Sequence, residues 1–452
     1  MLYATWNDVN WKITREHVFG IQQRIYKASV KEEWTTVANL QKLIINSWQA
    51  KLLAVRMVTQ DNQGRKTAGI DGKASLNTRE RMELVNRISI DGKANPVRRI
   101  EIPKPGKKEK RPLGIPTIED RAKQALVKMA LEPEWEAKFE PNSYGFRPGK
   151  SAHDAIEGIR SRLRFEPKFV LDADIAQCFD RINHDRLMSK IKAPANIKRQ
   201  IREWLKAGIF LDGAFHPTKE GTPQGGVISP LLANVALHGM EKAISSIPKK
   251  SREVLVLIRY ADDLVVIGQD MEKVKQAKNI LTEFLGEMGL ALSEDKTRLC
   301  HTKEKLRNEE PGFDFLGMNF RQYIRGKHRS ARHCSGKVYG HRLLIQPSKK
   351  SVKRFKEKIK LELTKAKRKV QGKRVLSVIA SLKPIIKGWA NYYRIGNKSG
   401  DIFQKLDEFI YHNLLSMTKR DMGRSSMNTM WNRYWKYTNK GWRFGDTTLM
   451  GS

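Results

Sequence analysis

Two adjacent aspartates between two apolar runs constrain this chain more than any other feature. Asp262 and Asp263 follow Arg259, Tyr260 and Ala261, and aliphatic residues fill positions 254–258 before them and 264–267 after them. Two such runs joined by polar residues predict a β-hairpin with the carboxylates at its tip. Adjacent carboxylates in apolar surroundings raise the cost of ionising each other, and a divalent cation such as Mg²⁺ removes that cost. A solvated turn is the alternative, because paired aspartates are also common in turns.

A third carboxylate at the end of another predicted strand favours the metal site. Residues 169–175 alternate apolar and acidic side chains, so Asp172 and Asp174 share one face of a short strand. An acid at a strand end and a separate acidic hairpin can together hold two metal ions roughly 3.5–4 Å apart, one activating a nucleophilic oxygen and one stabilising a leaving phosphate. The three carboxylates therefore predict metal-assisted chemistry on a phosphate.

The composition indicates a polyanionic partner. The 452 residues include 86 Lys and Arg against 48 Asp and Glu, a formal net charge of +38, which is typical of proteins that bind nucleic acid. A hydrophobic fraction of 40% supports two or more packed domains. Cys178, Cys300 and Cys334 are too few and too scattered for a disulfide framework or a zinc site, which favours a reducing compartment. Because no run of about 18 apolar residues and no signal-peptide core occur, we expect a cytoplasmic protein with no membrane partner.

Further sequence blocks accompany the acidic segments in order along the chain. They comprise residues 64–72, 102–105 with 110–116, 143–149, 221–230, 292–297, 313–317 and 388–394. Together with the strand of Asp174 and the hairpin of Asp262, these blocks resemble those of the group II intron-encoded reverse transcriptases, also called maturases. The resemblance spans roughly residues 60–395, and the block at 221–230 is its most specific part.

This resemblance implies an α+β fold of the right-hand polymerase type, with a fingers–palm domain built on an antiparallel palm sheet and a helical thumb. We expect an N-terminal extension at 1–60, fingers and palm at 61–330, a thumb or maturase domain at 345–416 and a short basic, aromatic DNA-binding tail at 417–452. Helical spacing predicts packed helices in the extension, and alternation in 97–102 before a turn at 105–108 predicts a β-hairpin in the fingers. Apolar positions between 270 and 289 predict a further helix that ends at Gly289.

The resemblance also implies the catalytic residues and the cofactor. Asp174, Asp262 and Asp263 would be the catalytic acids. With the main chain near Ile175 they would ligate two Mg²⁺ ions, for which Mn²⁺ can substitute. Asp172 lies on the same face, but the family motif matches at Asp174. The implied reaction is attack of a primer 3′ hydroxyl on the α-phosphorus of a deoxynucleoside triphosphate.

Five residues would bind the incoming nucleotide. Lys104 and Arg111 flank the fingers turn and would grip the triphosphate, although contact with the template backbone needs the same residues. Phe179 would exclude the 2′ hydroxyl of a ribonucleotide; packing in the core is the alternative. Gln224 would reach the nucleotide from a glycine-rich turn, and Lys296 would donate a proton to pyrophosphate.

The remaining implied contacts concern the primer and the duplex. Phe315, Leu316 and Gly317 resemble the primer grip. Residues 349–369 hold eleven Lys or Arg against two glutamates, and their narrow apolar stripe predicts a basic amphipathic helix followed by two more helices. Lys353, Lys356 and Lys360 would then bind RNA or duplex. A helix on a membrane surface is the alternative for such a stretch.

The tail interleaves aromatic and basic residues, which suits unpaired bases, although packing on the thumb would also use the aromatics. Past Thr418 the sequence has no cysteine and no histidine. We therefore expect the form that lacks the C-terminal endonuclease, and we expect the protein alone not to nick DNA, because metal-assisted hydrolysis needs such ligands.

The expected function is that of an RNA-dependent DNA polymerase that binds its group II intron RNA. It would assist splicing, as a maturase, and mobility by target-primed reverse transcription. The implied partners are the intron RNA, an RNA template with a DNA primer, a DNA target and deoxynucleotides, in a bacterial cytoplasm near the nucleoid. Two alternatives stay open. One is a splicing-only RNA-binding maturase, and the other is a domesticated reverse transcriptase with a role in defence or DNA repair.

Overall fold

The structure is a computed structural model that describes residues 5–103, 110–211, 214–218, 220–222, 225–248, 250, 253–306, 309–326, 328–332, 335–336, 338–367, 374–422, 435–438 and 441–444. Contacts along the chain divide it into two compact units. The first unit comprises Met1–Ser151, Ala173–Val266 and Glu272–Arg298, and the second comprises Ala152–Asp172, Ile267–Met271 and Leu299–Ser452.

The fold mixes helices and sheets throughout. The helices are α1 Trp11–Val30, α2 Trp34–Asn46, α3 Trp48–Arg56, α4 Thr78–Arg87, α5 Ile118–Lys138, α6 Ala152–Leu163, α7 Cys178–Arg181, α8 His184–Lys190, α9 Ala195–Lys206, α10 Ser229–Leu237, α11 Met240–Ile244, α12 Met271–Glu287, α13 Lys349–Lys367, α14 Arg374–Tyr393 and α15 Gly400–Met422. The strands are β1 Val97–Pro103, β2 Lys110–Ile115, β3 Phe169–Asp174, β4 Ile209–Leu211, β5 Ala214–His216, β6 Leu255–Tyr260, β7 Asp263–Gly268, β8 Arg298–His301, β9 Phe313–Phe315, β10 Met318–Ile324, β11 His341–Pro347, β12 Trp435–Thr438 and β13 Gly441–Phe444.

A break at Ser47 divides the apolar N-terminal stripe between two helices. Val37 is buried on α2 and Leu52 on α3, which confirms the predicted packing. The Ser47 hydroxyl caps α3 by accepting a hydrogen bond from the Ala50 N–H at 3.4 Å, and serine is among the preferred residues for that position. Trp48 therefore starts a new helix instead of continuing the stripe.

The β-hairpin predicted from the alternation in residues 97–102 is confirmed. β1 and β2 pair antiparallel from Arg98 opposite Ile115 to Pro103 opposite Lys110. β1 also pairs in parallel with β4, and the sheet has the order β2-β1-β4-β5. The turn of the hairpin, including Lys104, lies outside the described residues.

The acidic segments occupy the predicted places in a second sheet, of order β6-β7-β3-β8. β6 and β7 enclose Ala261 and Asp262, so the predicted hairpin is confirmed. On β3 the buried Ala173 separates Asp172 and Asp174, which are both partly exposed, as alternation along a strand requires. The apolar flanks keep the hairpin in place, because the aliphatic side chains of β7 are buried.

The helix predicted between 270 and 289 is α12, and it ends as expected. Gly289 has a φ of +74°, and the Leu290 N–H donates to the Leu285 carbonyl at 2.8 Å. This is the left-handed termination that glycine favours.

The second unit holds the three predicted basic and apolar helices. α13, α14 and α15 contain 19, 20 and 23 residues. Their common core consists of Phe355, Ile359, Leu363, Val378, Leu382, Ile386, Leu406, Ile410, Leu414 and Met417. A sheet of order β11-β10-β9 precedes them in the chain.

Near the end of the chain, β12 and β13 form an antiparallel pair in which Trp435 lies opposite Phe444. In the part of the chain that the structure describes, no helix is long and apolar enough to cross a membrane.

Candidate active site

The turn between β6 and β7 presents Asp262 at its tip. Ala261 has a φ of +58°, a left-handed conformation that is uncommon for residues other than glycine. Such conformations occur where the surrounding structure holds the backbone firmly, and they cluster at active sites. The Ile175 N–H donates to the Asp262 carbonyl at 3.1 Å. The end of β3 is therefore joined to the turn that carries the second acid.

The residues after α12 hold the end of β3 from its other side. The Ser293 N–H donates to the Asp174 carbonyl at 2.8 Å, and the Ala176 N–H donates to the Ala291 carbonyl at 2.9 Å. Lys296 follows at once, and its ammonium donates to Asp174 Oδ2 at 2.7 Å. The structure thus brings together three residues that are far apart in sequence: Asp174, Asp262 and Lys296.

The electrostatics of this cluster match those of a cation-binding site. Burial raises the pKa of Asp262, and the charge of Asp174 adds to that increase. Burial by itself would lower the pKa of Lys296, but its hydrogen bond with Asp174 and the charges of all three acids give a net rise. Two carboxylates that repel each other and attract an ammonium form a negative site that a divalent ion could occupy.

The acids fit Mg²⁺ as a partial ligand set. Among the described residues, no group of three or more His, Cys, Asp or Glu side chains is arranged to hold a metal ion. Mg²⁺ is usually bound through one or two carboxylates together with substrate phosphates and waters, so Asp174 and Asp262 are enough carboxylates for the protein's share of such a site. Asp263 directly follows Asp262 in sequence and begins β7. The roles of Asp263 and Ile175 as ligands stay predictions.

A buried arginine lies beneath the acidic turn. The side chain of Arg259 donates to Asn234 Oδ1 at 3.0 Å, to the Ala261 carbonyl at 3.0 Å and to Ser143 Oγ at 2.6 Å. Only 2% of Arg259 is exposed, and burial lowers its pKa to about 10, so it stays charged at neutral pH. Sequence reasoning missed this residue; its signal is a lone cation that follows the aliphatic positions 254–258.

The candidate sugar gate lies close to the same turn. Phe179 is on α7 and half-buried, with its ring centre 6.2 Å from that of Phe146 in an edge-to-face arrangement. Its carbonyl accepts a hydrogen bond from the Thr222 N–H at 2.6 Å, so the start of the glycine-rich block at 221–230 contacts α7. Gln224 in that block lies outside the described residues.

The other candidate nucleotide contacts are less fully described. Lys104 is outside the described residues. Of Arg111 only the backbone is described, and it pairs with Ile102 in the hairpin of β1 and β2. Cys178, next to Phe179, and Cys300 are both buried, and neither forms a disulfide among the described residues. Cys334 lies outside the described residues. Burial raises the pKa of Cys178 to about 12, which leaves its thiol protonated and unreactive at neutral pH.

In the second unit, the candidate primer grip is a tight turn between β9 and β10. Leu316 and Gly317 have φ values of +48° and +78°, as expected for a hairpin turn with two left-handed residues. The Tyr392 hydroxyl donates to the Leu316 carbonyl at 2.8 Å, and the Ser351 hydroxyl donates to the Gly317 carbonyl at 3.0 Å. Helices α13 and α14 therefore fix the turn that follows Phe315.

The three lysines proposed to bind nucleic acid line one groove of the second unit. Lys353, Lys356 and Lys360 lie along α13, and the groove between this helix and α15 has a volume of about 550 Å³. The ammonium groups of Lys356 and Lys360 lie 5.0 and 5.8 Å from the centre of the Phe409 ring. This concentration of positive charge suits a phosphate backbone.

Three families match this chain in consecutive segments. Residues 6–88 match the N-terminal domain of reverse transcriptase, residues 102–320 match reverse transcriptase (RNA-dependent DNA polymerase), and residues 352–437 match the maturase-specific domain of group II introns. The matched segments include all three candidate acids and the three lysines of α13, Lys353, Lys356 and Lys360.

Several known proteins are similar over most of their length. Protein YkfC of Escherichia coli (strain K12) is 32% identical over 62% of this chain and 82% of its own length. Maturase-like protein 1 of Euglena gracilis is 30% identical over 85% of this chain and 76% of its own length. The group II intron-encoded protein LtrA of Lactococcus lactis subsp. cremoris is 27% identical over 77% of this chain and 69% of its own length.

Proposed function

Because this chain belongs to the family of group II intron-encoded reverse transcriptases and maturases, and is thus an RNA-directed DNA polymerase with a splicing role, we propose which of its residues carry out each part of the reaction. Its active site is the cluster of Asp174, Asp262 and Lys296. The observation that carries this assignment is that the end of β3 is hydrogen-bonded to the β6–β7 turn. This bond brings the segments of Asp174 and Asp262 together, and the Lys296 ammonium is hydrogen-bonded to Asp174.

In this proposal Asp174 and Asp262 hold the metal, and Asp263 and the main chain at Ile175 complete its protein ligands. Mg²⁺, when bound as a pair of ions, would activate the attacking oxygen and stabilise charge on the leaving phosphate. The carboxylates must be ionised to act, and the Lys296 ammonium donates a hydrogen bond to Asp174 Oδ2. Lys296 is protonated at neutral pH, since its pKa is raised from a value that is already well above neutrality, and in this proposal it offers that proton to pyrophosphate.

The nucleotide is held by residues on three segments in this proposal. Lys104 and Arg111 bind the triphosphate from the fingers hairpin, since cationic clamps stabilise charge on a transferring phosphoryl group. Gln224 contacts the nucleotide from the glycine-rich block, and Phe179 lies under its sugar. The right-hand arrangement of fingers, palm and thumb belongs to the same proposal, with the Phe315–Gly317 turn as the primer grip.

Replacing Phe179 by Ala is expected to relax sugar selection. Removing the ring opens space for a 2′ hydroxyl, so the preference for deoxynucleotides over ribonucleotides should fall roughly 10- to 200-fold, the range for a pocket that discriminates by shape. The measurement is single-nucleotide insertion of each substrate opposite an RNA template. Phe19→Ala, which removes an exposed ring 59% accessible on α1, is the control. Unchanged selection in a folded Phe179→Ala variant would place the gate elsewhere.

Changing Lys353, Lys356 and Lys360 together to Gln is expected to weaken the salt dependence of RNA binding. Each neutralised phosphate contributes a slope of about −0.7 to −0.9 to log affinity against log salt, so three lost contacts should flatten it by roughly 2. A triple change of the exposed Lys192, Lys206 and Lys278 removes the same charge as a control. Equal slopes for the two triple variants would show that the groove on α13 does not contact the nucleic acid.

We further propose that the RNA partner is the group II intron encoding the chain, and that mobility proceeds by target-primed reverse transcription. Sequencing the RNA that co-purifies with the protein tests this directly, together with extension of a DNA primer on that RNA. Enrichment of the intron with active extension supports the proposal. Enrichment without extension would favour the splicing-only alternative, and extension without intron RNA would favour a domesticated enzyme.

A further inference from the structure

The buried arginine beneath the acidic turn is bound from three directions. Arg259 donates to a side-chain amide on α10 (Asn234), to a side-chain hydroxyl (Ser143) and to the carbonyl of the left-handed residue Ala261. Ala261 immediately precedes the candidate metal ligand Asp262. Because a guanidinium is planar and its donors are fixed, three such contacts set the position of that carbonyl closely.

The same contacts hold a second backbone segment against the turn. Asn234 donates from its amide nitrogen to the Gly145 carbonyl at 2.8 Å. The Tyr144 N–H donates to the Arg259 carbonyl, and the Arg259 N–H donates to the Asn142 carbonyl, both at 2.9 Å. Residues 142–145 therefore form a short stretch of paired backbone alongside Arg259.

This segment ends in an aromatic residue that touches the sugar gate. Phe146 has a φ of +60°, so it shares with Ala261 the left-handed conformation that needs outside support. Its ring lies edge-on to that of Phe179, with 6.2 Å between the centres. Phe146, Phe179, Asn234, Arg259 and Asp262 all border one narrow crevice that is too small to hold a water molecule. The network thus reaches the metal-ligand turn at one end and the gate at the other.

Packing alone does not require a charge at this position. The three acceptors of Arg259 are neutral oxygens, and removing a guanidinium from water is costly enough that an apolar side chain often stabilises a core as well or better. What an apolar side chain cannot do is orient a carbonyl, a hydroxyl and an amide at once. The guanidinium therefore acts by fixing the positions of these three groups around the site.

We propose that Arg259 is a positioning residue for both the catalytic turn and sugar selection. Through Ala261 it places Asp262, and through Ser143 and Asn234 it places Gly145 and Phe146, which supports Phe179. The proposal rests on the proposed function, because it takes Asp262 as a metal ligand and Phe179 as the gate. It adds Phe146 as a second aromatic residue that determines sugar specificity.

The test is Arg259→Lys, which keeps the charge but loses the planar set of donors. Misplacement of catalytic groups should lower kcat for primer extension about 10- to 100-fold, with unchanged affinity for the RNA–primer duplex. The preference for deoxynucleotides over ribonucleotides should fall in the same variant. Ser143→Ala removes one acceptor and should shift both quantities in the same direction by a smaller factor.

The matched control is Arg121→Lys. Arg121 is also buried, at 6% exposure, and it also donates to neutral acceptors, the carbonyls of Gly64 at 3.0 Å and Thr67 at 2.8 Å. We expect this variant to lose thermal stability while the sugar preference stays that of the parent, because none of its contacts reaches the turn or the gate.

Failure of the positioning role and failure of the proposed function give different outcomes. If Arg259→Lys lowers the melting temperature but retains the parent kcat and sugar preference per folded molecule, Arg259 is only structural and the proposal is overturned. If Arg259→Lys does not fold, a parental kcat and sugar preference in Ser143→Ala would overturn the proposal in the same way. If Phe179→Ala loses the sugar preference while Arg259→Lys and Ser143→Ala keep it, only the positioning role of Arg259 is wrong. If Phe179→Ala also keeps the parent sugar preference, the assignment of Phe179 as the gate is wrong.

Discussion

Asp262→Asn is expected to abolish primer extension while leaving RNA affinity almost unchanged. The carboxylate is a proposed metal ligand, and an amide is a weaker, uncharged substitute, so the rate should fall by at least about a thousandfold. RNA binding should persist because it depends on many cations elsewhere in a chain of net charge +38. The measurements are extension of a labelled primer on an RNA template in Mg²⁺ and a parallel titration of RNA.

Glu283→Gln makes the same chemical change at an exposed position on α12 and should keep the parent rate. Asp174→Asn should behave as Asp262→Asn does, because its carboxylate belongs to the same pair. Extension by Asp262→Asn above a few per cent of the parent, with Mg²⁺ as the only divalent ion, would contradict its role as a metal ligand.

Gly145→Ala is expected to disable the enzyme through the backbone of the catalytic turn. A Cβ at this position would overlap the backbone nitrogen of Ala261 and lie 2.9 Å from the carbonyl carbon of Tyr260. Backbone atoms cannot move aside as a side chain can, so the turn that carries Asp262 must shift. We expect a loss of about 1–3 kcal/mol in the free energy of unfolding and a fall of about a hundredfold in extension rate.

Gly286→Ala provides the matched control. Gly286 lies within α12, and apart from its chain neighbours and the backbone of its own helix no atom lies within 4 Å of a Cβ built there. Alanine should therefore raise the free energy of unfolding by up to about 1 kcal/mol through helix propensity. Extension should be unaffected. The effect on stability is measured by thermal melting. The effect on the extension rate is measured at a temperature where both variants are folded. Parental activity in folded Gly145→Ala would show that the turn tolerates the displacement.

The acidic elements could be predicted from sequence because their signals are local. Aliphatic runs on both sides of Asp262, and the alternation around Asp174, follow the two-residue period of a strand. The helices α13 to α15 were equally visible, because their apolar residues recur at helical spacing. In each case the information sits within one element.

The support beneath the turn could not be predicted in the same way. Arg259, Asn234 and Gly145 lie far apart in the sequence, and each looks ordinary alone: a basic residue, a polar residue in an apolar helix and a glycine. Their meaning depends on distances that appear only after folding. The break at Ser47 was hidden for a different reason, since the apolar spacing continues through it while the serine side chain ends one helix and caps the next.

The hydrogen bond between Lys296 and Asp174 has a consequence for how this protein matures. A lysine attached to the same chain is always present at the acids, whereas a free ion must be collected from solution. The repulsion between Asp174 and Asp262 is thus moderated as soon as the chain folds. Folding of this region need not wait for a metal, unlike that of small zinc domains whose ligands stay unfolded without their ion. If Asp174 and Asp262 bind Mg²⁺ as proposed, the polypeptide would complete its structure first and acquire the ion later, together with the nucleotide that brings phosphate oxygens to it.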